Sequence, residues 1–192
     1  MTSDLLNTLT VVNCYLHIIM RSNPKIQGFV ESVWRSFQSG SGLEPRLLNN
    51  LRITGARLGC VQFQLQIEQQ HTNRLKTLHG GTIASMVDLG GSLAVASRGL
   101  FATGVSTDIS VSYPSSGGTI GQLIQGEARC DKIGRKLAFT TVHFTNEKNQ
   151  MFARGSHTKY VELAWEDKDN KVNELKAAEA ESEKQSVCET DV

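Results

Sequence analysis

Cysteine pairs, charge of one sign and long unbroken apolar runs are all missing from this chain. The four cysteines, Cys14, Cys60, Cys130 and Cys188, lie far apart and make no CxxC or metal-ligand spacing. That excludes a disulfide scaffold and a zinc ribbon, and leaves reduced thiols in an intracellular compartment as the expectation. Net charge is only +1 over 192 residues, with no dense basic stripe interleaved with aromatics, so nucleic-acid binding is not expected. The most apolar stretch, Leu5 to Met20, is interrupted by Asn7, Asn13 and His17. It falls short of the ~20 residues a membrane-spanning helix usually needs. Asp4 has the wrong charge for a secretory signal, and a mitochondrial presequence should hold more arginine than Arg21 alone. Residues 1–25 therefore read as an N-terminal extension, with a cytoplasmic location expected and a mitochondrial one as the alternative.

The near-neutral total hides an asymmetry. From Glu166 onward nine acidic and four basic residues give −5, which leaves +6 on the preceding 165 residues. A mildly basic body favours a phosphorylated substrate. The segment 163–192 is acidic and poor in large apolar residues, so it is expected to be disordered, or a solvated helix at most.

What is present is enough for one domain with a sizeable core. Ile26, Phe29, Val30, Val33, Trp34 and Phe37 recur at three- and four-residue spacing and predict an amphipathic helix. After Gly40-Ser-Gly, a first strand is expected from about Leu48 to Ala56. From Val61 to Glu68, apolar Val61, Phe63, Leu65 and Ile67 alternate with Gln62, Gln64, Gln66 and Glu68, the signature of a half-buried strand. Gly81–Ser97 is apolar around most of its axis and predicts a core helix. Four more strands are expected at 104–113, 122–131, 136–146 and 151–161, with turn-forming residues between them. One buried helix with successive antiparallel strands is an α+β pattern, a sheet wrapped around a helix.

Chemistry concentrates at residues 71–88. A glycine pair, Gly80-Gly81, opens the core helix, and Asp88 sits in its middle. N–H groups at a helix start attract negative charge, and a carboxylate in an apolar helix is costly without a task or a partner. Together they point to a site that polarises a carbonyl and activates water. Read one at a time, the same residues have plainer explanations: a satisfied buried aspartate, a turn before a helix, a loop asparagine and a packed histidine. A zinc site from His71, His79 and Asp88 would need a different spacing.

Asn73, Leu78-His79-Gly80-Gly81, Asp88, Gly104-Val105-Ser106-Thr107-Asp108, Gly134-Arg135-Lys136-Leu137-Ala138-Phe139 and Gly155-Ser156-His157-Thr158-Lys159 resemble the PaaI-type hotdog thioesterases. Within that group the pattern is most similar to the eukaryotic thioesterase superfamily member 2 branch of acyl-CoA thioesterases. The resemblance covers residues 26–162. It implies a hotdog fold, α+β, with an antiparallel sheet of five to six strands around a central helix. It also implies hydrolysis of acyl-CoA to free fatty acid and CoA with no metal or cofactor, at sites between the subunits of a homodimer that pairs into a homotetramer.

Position by position, the resemblance makes Asp88 the catalytic carboxylate, acting as general base on water or as nucleophile. Ser106 then helps place the water, with His157 a weaker candidate of the same kind. Gly80 donates its N–H to the thioester oxygen, Asn73 supplies a second donor, and His79 orients the loop. Tyr113, Gly134, Arg135, Lys136, Leu137, Ala138 and Phe139 match CoA contacts. Arg129 and Lys132 add positive charge to the same strand–turn–strand, which reads otherwise as a solvated basic hairpin. Two departures stand out: Leu89-Gly90-Gly91 follows Asp88 where close relatives are more polar, and Tyr160 replaces a histidine.

Geometry adds an argument for a dimer. Gly81 and Asp88 are seven residues apart, ~10 Å along a helix, too far for one chain to hold a carbonyl and attack it. A hydratase of the same fold would want a histidine paired with a carboxylate on the core helix, and no histidine lies between Gly80 and Asp108. A non-catalytic acyl-CoA binding or scaffold protein is the remaining alternative.

Overall fold

The computed structural model describes residues 21–190, with side chains to residue 185. Most of the expected N-terminal extension lies outside the described residues. Helix α1 spans Pro24–Gly40. Its cap is Asn23, whose Oδ1 accepts the N–H groups of Lys25 and Ile26 at 3.1 and 3.4 Å, and Pro24 presets the first turn. The predicted apolar face is buried through Ile26, Val30, Val33 and Trp34.

The first strand starts later than the sequence predicts. Pro45 helps set up a four-residue helix, α2, at Glu44–Leu47, and buried Leu48 and Leu51 anchor the loop after it. Strand β1 then runs Arg52–Arg57, β2 Cys60–Gln66, and a 3-10 turn Gln69–His71 leads to the core helix α3, Gly80–Ala96. Strands β3 (Val105–Ser112), β4 (Leu123–Ile133), β5 (Leu137–Asn146) and β6 (Met151–Tyr160) follow. They form one six-stranded sheet in the order β1-β2-β4-β5-β6-β3, antiparallel at every pairing.

Twelve of the seventeen residues of α3 are buried. They rest on the inner sheet face, to which β5 contributes Ala138, Thr140, Val142 and Phe144 and β2 contributes Val61, Phe63 and Leu65. Each large side chain so buried is worth roughly 1.5–3 kcal/mol. The glycines after Asp88 serve this contact. A Cβ on Gly90 would meet Phe63, Val142 and Ala128 at 3.2–3.4 Å, so helix and sheet approach closely because the side chain is absent.

The tail reading needs correction. After a 3-10 turn at Leu163–Glu166, Val172–Thr190 forms helix α4, which docks rather than standing free. Leu175 and Ala178, one turn apart, are buried. Lys171 N–H donates to the Gly99 carbonyl at 2.8 Å, and Asn23 Nδ2 donates to the Ala178 carbonyl at 3.0 Å. Gly99 is suited to this junction, since its φ is +94° and a Cβ would lie 2.6 Å from the Val172 backbone. Low apolar content does not prevent docking, because two well-placed small-to-medium side chains and a few backbone bonds suffice once a folded body offers a surface.

Candidate active site

Asp88 projects from the middle of α3 with 40% of its side chain exposed. Its Oδ1 accepts a hydrogen bond from Ser106 Oγ at 2.8 Å. Ser106 reaches it because of a bulge. On the edge strand β3, Ser106 pairs with Lys159 of β6, yet the next matched pair is Asp108 with Thr158. The extra residue, Thr107, donates to the Thr158 carbonyl at 3.0 Å. The slip puts Ser106 on the inner face and Asp108 on the outer one, re-aiming a side chain as bulges beside sites do.

Behind Ser106 stands His157 of β6, wholly buried. Its Nε2 is 3.0 Å from Ser106 Oγ and 3.4 Å from Asp88 Oδ1. Since the serine proton points to the carboxylate, Ser106 accepts from His157 Nε2–H, which assigns a neutral Nε2-protonated ring from the network. Burial first, and then the charge of Lys159, push the His157 pKa down to about 4 against the pull of Asp88. The His157–Asp88 proximity is therefore not an ion pair at neutral pH. Among the described residues the His157 Nδ1 has no hydrogen-bond partner, and a Cβ on Gly91 would come within 2.5 Å of it and 2.6 Å of Thr140 Oγ1.

The start of α3 forms a second cluster. His79 caps the helix, its Nδ1 accepting the Gly81 N–H at 2.8 Å. With Gly81 engaged, the Gly80 N–H is the first-turn donor that neither the helix ladder nor this cap uses. Tyr113 packs over Gly80, donating its hydroxyl to the Gly80 carbonyl at 3.1 Å, with its ring 3.5 Å from where a Cβ would sit. Asn73 serves the turn before the helix: its Oδ1 accepts from Leu75 N at 2.8 Å and its Nδ2 donates to Thr77 Oγ1 at 2.9 Å. One Nδ2 proton remains for a ligand. His71 has both ring nitrogens occupied, by Glu68 N–H and the Leu47 carbonyl, so it cannot join a zinc set with His79 and Asp88.

The segment 134–139 is less uniform than its sequence implies. Arg135, Lys136, Leu137 and Phe139 are exposed, but the Ala138 side chain is fully buried and offers a ligand only its backbone. Gly134 N–H bonds the Leu137 carbonyl and Lys136 carbonyl accepts from Val161 N–H, both at 2.8 Å. Trp165, unremarked in the sequence, donates its indole N–H to the Gly134 carbonyl at 3.3 Å. Arg129 is spoken for by Glu127, 2.6 Å away, and Tyr160 bonds Glu162.

Within one chain, then, Asp88, Ser106 and His157 come together, and Gly80, His79, Asn73 and Tyr113 come together, about two helical turns away. The sequence pattern assigns no role to Lys159, which is buried and whose ammonium donates to Ser92 Oγ at 2.9 Å. Alternation along β6 puts residues 157 and 159 on one face, but only the strand order places that face under Asp88.

A family model described as the thioesterase superfamily matches residues 75–153. A Schizosaccharomyces pombe protein named as an esterase is 44% identical over 152 residues, covering 79% of this chain and 94% of its own. The chain belongs to the thioesterase superfamily. The human thioesterase of this superfamily called acyl-coenzyme A thioesterase 13 is 36% identical over 117 residues, 60% of this chain and 83% of that protein. The crystal structure of zebrafish thioesterase superfamily member 2 superposes with a TM-score of 0.64 at 36% identity, covering 70% of this chain and 96% of its own. The hotdog architecture expected of a thioesterase with this motif pattern is thus the one observed, with six strands. Among the described residues, no helix of this superfamily member is long and apolar enough to cross a membrane.

Proposed function

We propose that the protein hydrolyses acyl-CoA thioesters, with Asp88 as general base. The observation that carries this reading is the half-open carboxylate of Asp88, with Oδ1 held by Ser106. A carboxylate fixed through one oxygen presents the other to a water molecule. The water oxygen bonds to the thioester carbon as its proton passes to Asp88. The resulting oxyanion is stabilised by the Gly80 N–H and the remaining Asn73 amide proton. Collapse breaks the C–S bond, and the CoA thiolate leaves and takes up a proton.

Because Gly80 and Asp88 are some two turns apart on one helix, the donors come from one subunit and Asp88 from the partner subunit. The edge strand β3 supports such a homodimer: among the described residues its outer edge has no strand beside it, and Val105, Ile109 and, just past its end, Tyr113 leave 64%, 38% and 49% of their surface exposed, apolar area that a second copy would cover. Pairing of dimers into a tetramer extends the same reading, with Arg135 and Lys136 meeting CoA phosphates. The hydratase alternative loses ground here: the histidine beside Asp88 is His157, which is wholly buried and so is not placed to touch substrate.

The test is release of free CoA thiol from short, medium and long acyl-CoAs, wild type against Asp88→Asn. Turnover that falls by about 100-fold or more, with the oligomer unchanged, is expected. Equal activity would refute Asp88 as base, and CoA binding without wild-type turnover would replace the enzyme with a binding protein.

A further inference from the structure

Trp165 is an exposed aromatic that the mechanism above leaves idle, and it lies past residue 162, where the sequence resemblance ends. The ring keeps 36% of its surface open, yet its place is fixed. Ala164 beside it is buried, and Asn170 Nδ2 donates to the Ala164 and Trp165 carbonyls at 2.9 and 3.2 Å. The indole N–H donates to the Gly134 carbonyl at 3.3 Å. That bond uses the ring's one polar group, so the surface left for a ligand is flat apolar carbon. Gly134 in turn opens the segment that carries Arg135 and Lys136, itself anchored where the Lys136 carbonyl accepts from Val161 N–H at 2.8 Å. Both cations are exposed, and among the described residues neither side chain makes an ion pair or a hydrogen bond.

We propose that Trp165 is a stacking platform for the adenine of CoA, with Arg135 and Lys136 taking its phosphates. A fixed aromatic ring tied to a turn with two unpaired cations suits a ligand that is both aromatic and anionic: the base stacks and the phosphates pair. Charge sets the direction. Glu162, which accepts the Tyr160 hydroxyl, and Glu166 flank the ring in sequence and repel phosphate, so the neutral base belongs on Trp165 and the phosphates on the basic turn. The identity of the ligand as CoA rests on the hydrolase reading, whereas the pairing of ring and cations would hold any adenosine bisphosphate.

The chain has two tryptophans, and Trp34 is buried, 6% exposed, so quenching of indole emission by an added nucleotide reports on Trp165. Adenosine 3′,5′-bisphosphate is expected to quench wild type saturably and Trp165→Phe not at all, while inorganic pyrophosphate, an anion without a ring, quenches neither. Hydrolysis is then compared for wild type, Trp165→Ala and Trp165→Phe on an acyl-CoA and on the same acyl group carried by pantetheine, which has no nucleotide. Trp165→Ala should raise KM for acyl-CoA roughly tenfold and turn over the pantetheine thioester as wild type does. Trp165→Phe keeps a ring but loses the bond to Gly134, and its KM should stay close to wild type. Equal impairment of both variants would mean that Trp165 only tethers the turn. A KM raised alike on both substrates, or emission that ignores the bisphosphate, would mean that the ring holds no base. Each of these results overturns the proposal while the hydrolase reading stands. If wild type turns over no acyl-CoA, the hydrolase reading fails and emission alone decides: saturable quenching supports the nucleotide platform, and its absence refutes it.

Discussion

Replacing Gly91 by alanine should damage the protein even though alanine is the better helix former. In an open helix position the change is worth about 1 kcal/mol in favour of the fold. Gly28, exposed on α1 with nothing within 4 Å of where a Cβ would sit, is such a place. Gly28→Ala is therefore expected to raise Tm by roughly 2–4 °C for a chain of this size. At Gly91 the new methyl would sit 2.5 Å from His157 Nδ1 and 2.6 Å from Thr140 Oγ1, and neither can retreat, since both side chains are buried between helix and sheet. Overpacking of this kind costs about 1–3 kcal/mol, which outweighs the helix gain and lowers Tm by roughly 2–4 °C. The larger effect is on function. Displacing His157 breaks its bond to Ser106 and so loosens the grip on Asp88, and turnover should fall about tenfold or more. Thermal denaturation at fixed protein concentration and CoA thiol release, run on both variants, give the answer. A Gly91→Ala protein as stabilised as Gly28→Ala and as active as wild type would refute the close-contact account.

Two further outcomes follow from the same geometry. His157 titrates near 4 in the folded protein and near 6.5 when unfolded. Between those values the unfolded chain binds a proton that the folded chain refuses, so stability falls as pH drops through 6.5 to 4 and this contribution levels off below. The loss is on the order of 3 kcal/mol; urea midpoints should track it in wild type and lose that component in His157→Asn, and identical pH profiles would contradict it. Leu175→Ala removes the main anchor of α4, 4% exposed, and should cost about 2–3 kcal/mol and roughly 5–10 °C in Tm; an unchanged Tm would mean that α4 does not hold to the body.

Much of this was legible because periodicity reports burial. The alternation in β2 and the all-round apolarity of α3 named their elements, and the glycine helix start with a mid-helix carboxylate pointed to the segment where the candidate site lies. What stayed illegible depends on partners remote in sequence. Nothing around Ser106 announces that an extra residue, Thr107, will turn it toward Asp88, because a bulge is defined by the opposing strand. Lys159 resembles any strand lysine until the order β5-β6-β3 sets it under the helix. Ala138 is the reverse case, a residue matched by motif whose side chain the pleat directs into the core, leaving its backbone for a ligand. Gly90 and Gly91 were visible as oddities, and their reason is helix–sheet approach.

The bond from Asn23 to the Ala178 carbonyl spans 155 residues, and it sets an order of events. Closing a loop of that length in an unfolded chain costs about 4–5 kcal/mol in entropy, far more than one amide–carbonyl contact returns. The sheet between them must already have drawn the two ends together before α1 and α4 can meet. As the polypeptide emerges from the ribosome, α1 is made early yet cannot acquire this neighbour until the six strands have paired and Ala178 has left the exit tunnel. Protection of the α4 amides should therefore be the last to appear in refolding and the first to be lost, a reporter of whether the body beneath it is complete.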